Sequence, residues 1–182
     1  MRVLSLVSFL FVGCAPSLFD DAESDSNTVV EDTVAEPVNT VVESYEDGST
    51  LMILDATDER IPVLLDLDTG FTTLGDEWDV SMVRFDSWSN EDVSIIAFDG
   101  VAFDDLVTYD DADWLSGNDG AEVFAAWWDY NLETHIVTPN DMTFAVMANT
   151  GDVFKVRFQD YYADAGTPAT VSILVAPLVK AE

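Results

Sequence analysis

From residue 49 onward the chain alternates apolar and polar positions with a period of two, which is typical of β-strands. In residues 78–85, Trp78, Val80 and Met82 fall on one face of an extended chain. Residues 122–130 fit either a strand or a short helix. The same pattern predicts further strands at residues 50–55, 61–68, 93–98, 101–106, 134–138, 142–149, 153–158 and 170–178. Short strands at this spacing, without alternating helices, predict one all-β domain, an antiparallel sandwich or barrel-like fold.

Turn residues between these strands predict two hairpins. Asp99 and Gly100 separate strands 93–98 and 101–106, and this dipeptide is a strong hairpin signal. A second turn at residues 150–152 (TGD) separates strands 142–149 and 153–158. Residues 108–120 are rich in Asp, Asn and Gly and are predicted to form a loop.

The first residues of the chain have the organisation of a bacterial export signal. Arg2 supplies positive charge and residues 3–12 are almost entirely apolar, a run shorter than the roughly 20 residues that span a bilayer. The run ends in a sequence that resembles a lipobox, Phe11-Val12-Gly13-Cys14. We therefore predict a lipoprotein signal peptide at 1–13 and lipidation of Cys14, with cleavage near Ala15 as the alternative. Because residue 15 is not Asp, we expect the outer membrane.

A strongly acidic segment follows the predicted lipidation site. Between residues 20 and 47 there are ten acidic residues and no Lys or Arg. Such a segment extends by self-repulsion and lacks an apolar face. We predict a disordered tether at 14–48, which carries a folded domain at 49–182.

Composition narrows the classes of function. The chain has 36 acidic and 6 basic residues, a formal net charge of −30, so a nucleic-acid partner is excluded. Hydrophobic residues make up 48%, enough for a substantial core. Cys14 is the only cysteine, so an internal disulfide is impossible. Catalytic motifs such as Gly-x-Ser-x-Gly, HExxH or a P-loop are absent from the sequence, so we do not expect an enzyme.

Three blocks of sequence resemble the HmuY family of bacterial haem-binding lipoproteins. The first is residues 55–57 (DAT) with 63–70 (VLLDLDTG), and the second is residues 77–85 (EWDVSMVRF). The third comprises residues 127–130 (WWDY), 134–139 (THIVTP), 151–158 (GDVFKVRF), 160–162 (DYY) and Gly166. The chain departs from the family at 87–91 (SWSNE), where a glycine-rich turn is usual, and at 166–169 (GTPA).

The resemblance implies an all-β fold outside the cytoplasm that captures haem through His or Met ligands. His135 is the only imidazole, and on a strand it would share a face with Val137. Met142 and Met147 are candidates for a second ligand. Lys155 and Arg157 are candidates for contacts to the carboxylates of the ligand. Each also has a structural interpretation: core packing for the methionines, and neutralisation of neighbouring acids for the two cations.

Acidic segments offer an alternative to haem. The motif at 66–70 (DLDTG) has alternating carboxylates, and a second group comprises Asp110, Asp111, Asp113 and Asp119. Calcium takes six to eight oxygens from a folded loop, but neither segment matches the EF-hand pattern. The sequence therefore predicts an outer-membrane-anchored HmuY-like lipoprotein that binds haem or a haem protein. The alternative is a structural or adhesive surface module without haem, stabilised by calcium.

Overall fold

A computed structural model describes residues 41–73, 75–111 and 113–182. The predicted signal peptide, Cys14 and the tether up to residue 40 lie outside these ranges. About half of the described residues are in strands and there is one short helix in the described part, which confirms the predicted all-β class. The helix α1 is Gly117–Ala125. In chain order the strands are β1 (Val41–Ser44), β2 (Thr50–Asp55), β3 (Val63–Asp66), β4 (Phe71–Thr72), β5 (Val80–Val83), β6 (Asp86–Ser89), β7 (Ser94–Asp99), β8 (Thr108–Tyr109), β9 (Leu115–Ser116), β10 (Trp128–Asn131), β11 (Ile136–Pro139), β12 (Met142–Met147), β13 (Val153–Tyr162), β14 (Pro168–Pro177) and β15 (Val179–Lys180).

Seven strands form one antiparallel sheet in the order β1-β2-β14-β13-β12-β7-β9. A four-stranded sheet has the order β4-β3-β5-β6, while β10–β11 and the parallel pair β8–β15 stand apart as two-stranded sheets. The large sheet begins at Val41, which pairs with Ile53, so the last part of the segment assigned to the tether contributes its edge strand.

The main core lies between the large sheet, the four-stranded sheet and the helix. Phe144 on β12 and Phe124 on α1 are both fully buried, and their ring centroids are 5.2 Å apart. Leu65 and Val80 bring the four-stranded sheet into the same cluster. Alternate residues of β14 (Ala169, Val171, Ile173 and Val175) are buried against it. The period-two pattern of the sequence therefore corresponds to burial on one face.

The helix lies in a segment for which the sequence pattern predicted a loop up to residue 120 and either a strand or a short helix from residue 122 onward. Ser116 is extended and precedes the first turn, where Asp119 lies. Gly120 is required by a close approach, because a Cβ atom there would come within 2.7 Å of the Leu115 carbonyl oxygen. Phe124 anchors the helix to the core, whereas the preceding residues are too polar to signal an amphipathic element.

The predicted hairpin at Asp99 and Gly100 is wrong. Strand β7 pairs with β12 instead, and the Gly100 N–H donates to the Asp141 carbonyl oxygen at 2.7 Å. Residues 101–106 form a loop on the opposite face of the large sheet, where Leu106 joins a second, smaller apolar cluster with Ala145, Val153 and Leu178. Their apolar pattern therefore reflects burial of a loop rather than strand pairing.

Candidate functional site

The β10–β11 hairpin carries the single histidine at its tip. The Asn131 side-chain oxygen accepts hydrogen bonds from the backbone N–H groups of Glu133 (2.9 Å) and Thr134 (3.0 Å). The His135 N–H donates to the Asn131 carbonyl oxygen at 2.8 Å and closes the turn. His135 has φ of +58°, a left-handed conformation in which His, Asn and Asp are enriched among non-glycine residues. His135 therefore ends a turn, and the prediction that it lies on a strand is wrong.

The imidazole of His135 is oriented by a neighbour across the hairpin. Its Nδ1 lies 2.7 Å from the Tyr130 hydroxyl, and the side chain is exposed. When Nδ1–H donates to the tyrosine oxygen, the lone pair of Nε2 is left for a metal. A metal-bound histidine is commonly fixed in this way by a partner on its other nitrogen.

Large apolar side chains close to His135 along the hairpin are exposed. Leu132 is 79% exposed, Ile136 47% and Tyr130 37%. Exposed apolar surface concentrated around one polar group is typical of a surface that receives a ligand or partner. The tip of the hairpin therefore combines one nitrogen donor with a surface suited to a flat, hydrophobic molecule.

Aromatic residues anchor the base of the hairpin to the domain. We call Phe85, Trp127, Trp128, Tyr161 and Tyr162 the aromatic base. The Tyr162 hydroxyl accepts the Val137 N–H at 3.0 Å, and the Trp127 Nε1–H donates to the Phe85 carbonyl oxygen at 3.1 Å. Phe85 and Trp128 have ring centroids 4.6 Å apart. Trp127 and Tyr161 are buried in the main core, whereas Trp128 and Tyr162 are partly exposed. The aromatic base therefore belongs to the core on one side and is accessible to solvent on the other.

The two methionine candidates lie at opposite ends of β12. Met147 pairs with Val153 at the start of β13, whereas β11 is held to the far end of β13 through Tyr162. Tyr162 lies nine residue steps along β13 from Val153, roughly 30 Å, so Met147 is remote from the hairpin. Met142 is half-buried against the main core and follows β11 closely in the chain, which makes it the nearer candidate.

Lys155 and Arg157 bind the loop at 101–106. The Lys155 ammonium donates to the Phe103 carbonyl oxygen at 2.9 Å and lies 4.3 Å from the Phe103 ring centroid. Arg157 donates to the Val101 carbonyl oxygen at 3.1 Å and to Asp141 at 2.6 Å. Both cations therefore have partners that stabilise the fold, on the face of the sheet that carries the smaller cluster.

Arg84 is a cation close to the aromatic base, and no role for it was predicted from the sequence. It forms an ion pair with Glu59, and its guanidinium lies beside the Tyr161 hydroxyl; both partners raise the pKa of Arg84. The feature of the sequence that could have indicated a role for Arg84 is its position at the end of the second block of family resemblance, directly before Phe85.

The acidic candidates are arranged differently from the prediction. Asp111 forms an ion pair with Lys180, and Asp119 lies in the first turn of the helix. In the part of the chain that the structure describes, the carboxylates that converge within 4.8 Å are Asp66, Asp68 and Asp79, which we call the acidic cluster. Two of these belong to the motif at 66–70.

Asp79 is the buried member of this cluster and has a structural function. Its two oxygens accept the N–H groups of Leu67 (2.8 Å) and Asn149 (2.9 Å). Burial raises its pKa, and the charges of Asp68 and Asp66 act in the same direction, while the two N–H donors oppose them. Asp79 thus connects the end of β3 to the β12–β13 turn.

Comparisons with known proteins give a match in structure only. No family model and no curated protein matches the sequence. A protein of Bacteroides vulgatus described as an HmuY-like haem-binding protein has a TM-score of 0.62 and 17% identity, covering 75% of this chain and 96% of its own. A Bacteroides fragilis protein described as a lipoprotein has a TM-score of 0.60 and 13% identity, covering 75% and 93%. The apo HmuY analogue of Tannerella forsythia has a TM-score of 0.57 and 17% identity, covering 77% and 97%.

These matches confirm the predicted resemblance at the level of the fold: the chain has the fold of HmuY-like proteins. The first of them is described as a binding protein, in agreement with the expectation of a non-enzyme. Among the described residues, no helix is long and apolar enough to cross a membrane.

Proposed function

We propose that this chain is a lipid-anchored haem-binding protein of the bacterial outer membrane. The observation that carries the proposal is the exposed His135 imidazole, whose Nδ1 lies within hydrogen-bond distance of the Tyr130 hydroxyl, so that Nε2 would be the nitrogen that binds iron. The exposed apolar side chains of Leu132 and Ile136 adjoin it on the hairpin and would contact the face of a porphyrin. The fold neighbours support this function, since one is described as haem-binding and another as a lipoprotein.

In this proposal His135 supplies one axial ligand and haem is the cargo. Neutral imidazole is a common axial ligand of haem iron. Met142 is the candidate for the sixth position, and a site open on that side is the alternative. The haem would come from the surroundings, either free or from a haem protein.

A haemin titration with a matched substitution tests the ligand. His135→Asn removes the imidazole but tolerates the left-handed backbone of residue 135, so the turn is retained. We expect a saturable Soret shift at one equivalent in the natural protein and its loss in the variant. Met142→Leu should change the spectrum of the complex if Met142 is the sixth ligand. A Soret shift that persists in His135→Asn contradicts coordination by His135.

A protein that gives no Soret shift at all would favour the structural or adhesive module. Calcium then becomes the next ligand to test, by thermal unfolding with calcium and with magnesium at equal ionic strength. The acidic cluster is the part of the described chain where a calcium-specific rise in Tm would be sought.

The anchor is tested separately from the ligand. Mass spectrometry of the mature amino terminus should find a diacylglyceryl group on Cys14. Cys14→Ala should release the protein from the membrane fraction. An unmodified terminus at residue 15 or later would show that the leader is an ordinary secretory signal.

A further inference from the structure

In the described residues of this acidic protein, every Lys and Arg side chain already binds a carboxylate or a backbone carbonyl oxygen. Arg60 binds Asp58, Arg157 binds Asp141 and Lys180 binds Asp111, while Lys155 binds the Phe103 carbonyl oxygen. Arg84 binds Glu59. A ligand with acidic groups would therefore meet an anionic surface, unless one of these cations exchanges its partner.

Arg84 is placed where such an exchange is feasible. It directly precedes Phe85, whose ring packs on Trp128 of the hairpin with centroids 4.6 Å apart. Phe85 also lies 6.1 Å from Tyr161 between ring centroids, and the Arg84 guanidinium lies beside the hydroxyl of that tyrosine. The charge thus sits next to the aromatic base, on the element that supports the hairpin.

The backbone of Arg84 is fixed, but its ion pair is exposed. Its N–H donates to the Ala56 carbonyl oxygen at 3.0 Å, and its φ is +56°. Its side chain is 40% exposed and that of Glu59 is 66% exposed. Exposed ion pairs contribute about 0–1 kcal/mol, so a carboxylate presented by a bound ligand can displace Glu59 at little cost. A guanidinium also matches a carboxylate with two parallel hydrogen bonds.

We propose that Arg84 binds a carboxylate of the porphyrin periphery and releases Glu59 in exchange. This inference rests on the proposed haem function and assigns to Arg84 the role that the sequence analysis gave to Lys155 and Arg157. Trp128 lies three residue steps along β10 from Asn131, roughly 10 Å. A macrocycle that lies along the hairpin from the turn would therefore reach the aromatic base, where Arg84 lies.

The test compares haemin with haemin dimethyl ester, in which both carboxylates are blocked. Arg84→Gln should weaken haemin binding about tenfold and leave binding of the ester unchanged. Arg84→Lys, which keeps the charge but not the paired donors, should bind haemin with an affinity between those of Arg84→Gln and the natural protein. Glu59→Gln should strengthen haemin binding severalfold, because it removes the competing carboxylate. Arg60→Gln, on the same loop as Glu59, is the control and should change neither affinity.

The outcomes separate this inference from the function on which it rests. If Arg84→Gln leaves haemin affinity unchanged, or weakens haemin and the ester equally, Arg84 does not bind the carboxylate and the inference is overturned while haem binding stands. If Glu59→Gln weakens haemin binding, the ion pair supports the site instead of competing with the ligand, which also overturns it. If neither porphyrin gives a Soret shift with the natural protein, the proposed function fails and the inference with it.

Discussion

The Tyr130 hydroxyl lies 2.7 Å from Nδ1 of His135, across a hairpin that joins β10 to β11. The two rings are tilted, with centroids 6.0 Å apart. The turn between them is closed by the Asn131 side chain, which accepts two backbone N–H groups of the turn and so fixes the backbone that carries both rings. The contact engages Nδ1, so Nε2 is the nitrogen that would bind a ligand in the proposed function.

The first prediction concerns this pair. Tyr130→Phe keeps the ring but removes the hydroxyl, so His135 should lose its orientation and haemin affinity should fall about tenfold. Haemin titration followed by the Soret band measures the effect. Tyr45→Phe is the control, because Tyr45 is exposed in the β1–β2 turn. Equal affinity in Tyr130→Phe and the natural protein would show that the hydroxyl does not position the ligand.

The second prediction concerns Asp79. Asp79→Ala leaves the N–H groups of Leu67 and Asn149 without an acceptor in a buried place. Each unsatisfied donor costs about 1–3 kcal/mol, so loss of the acceptor for both should lower the free energy of unfolding by about 2–6 kcal/mol. Asp79→Asn keeps one acceptor and should lose less. Urea unfolding measures both variants, and a loss below about 1 kcal/mol in Asp79→Ala would contradict the connecting role.

The third prediction concerns pH and Asp68. Burial raises the pKa of Asp68 above its ordinary value of 3.8, and the nearby charges of Asp66 and Asp152 add to this, although the Thr150 hydroxyl opposes it. The folded protein therefore holds this proton to higher pH than the unfolded chain does. The associated stability is fully present below pH 3.8 and is lost as pH rises through the folded pKa.

Asp68→Asn removes this loss and keeps an oxygen that can accept from Thr150. The variant should be more stable than the natural protein at pH 7, by at most about 1 kcal/mol because Asp68 is exposed. The difference should disappear below pH 3.8. Unfolding at several pH values measures it. A variant that is less stable at pH 7 would indicate that the charge of Asp68 is favourable, and Asp164→Asn in an exposed turn is the control.

The fourth prediction tests the helix as part of the core. Phe124 is fully buried, with ring centroids 5.2 Å from Phe144 and 5.4 Å from Phe158. Phe124→Ala should lower the free energy of unfolding by about 3–5 kcal/mol, through lost contacts and a cavity. Glu122→Ala, exposed on the same helix, should change it by less than about 0.5 kcal/mol. Similar losses in the two variants would contradict this placement.

The fifth prediction concerns the start of the folded domain. A chain of residues 41–182 retains β1, which pairs with β2 from Val41 opposite Ile53 to Ser44 opposite Thr50. A chain of residues 49–182 lacks this strand and the Asp47 carboxylate that accepts the Ser49 hydroxyl at 2.6 Å. Both should unfold cooperatively, the shorter one with about 1–3 kcal/mol less stability. Equal stability would place β1 outside the folding unit.

The alternation of apolar and polar residues was enough to predict the strands that bury one face. Residues 50–55 are predicted and observed as β2. The strands β12, β13 and β14 overlap the predicted ones, although β12 ends two residues earlier and β13 runs four residues further. The three family blocks also indicated the fold that the structural neighbours share. These features depend on local patterns, because the side-chain period of a strand repeats within a few residues.

Which of these segments pair or pack together is visible only in the folded chain. The apolar pattern of 101–106 belongs to a loop, since β12 occupies the edge of β7 that a hairpin would have used. Arg84 and Tyr161 adjoin because a turn after β5 faces the end of β13. The hairpin that carries His135 is held to the domain by Tyr162, whose hydroxyl accepts the Val137 N–H from 25 residues away. Pairing partners, charge partners and exposure are set by contacts between distant residues, which a period-two pattern does not contain.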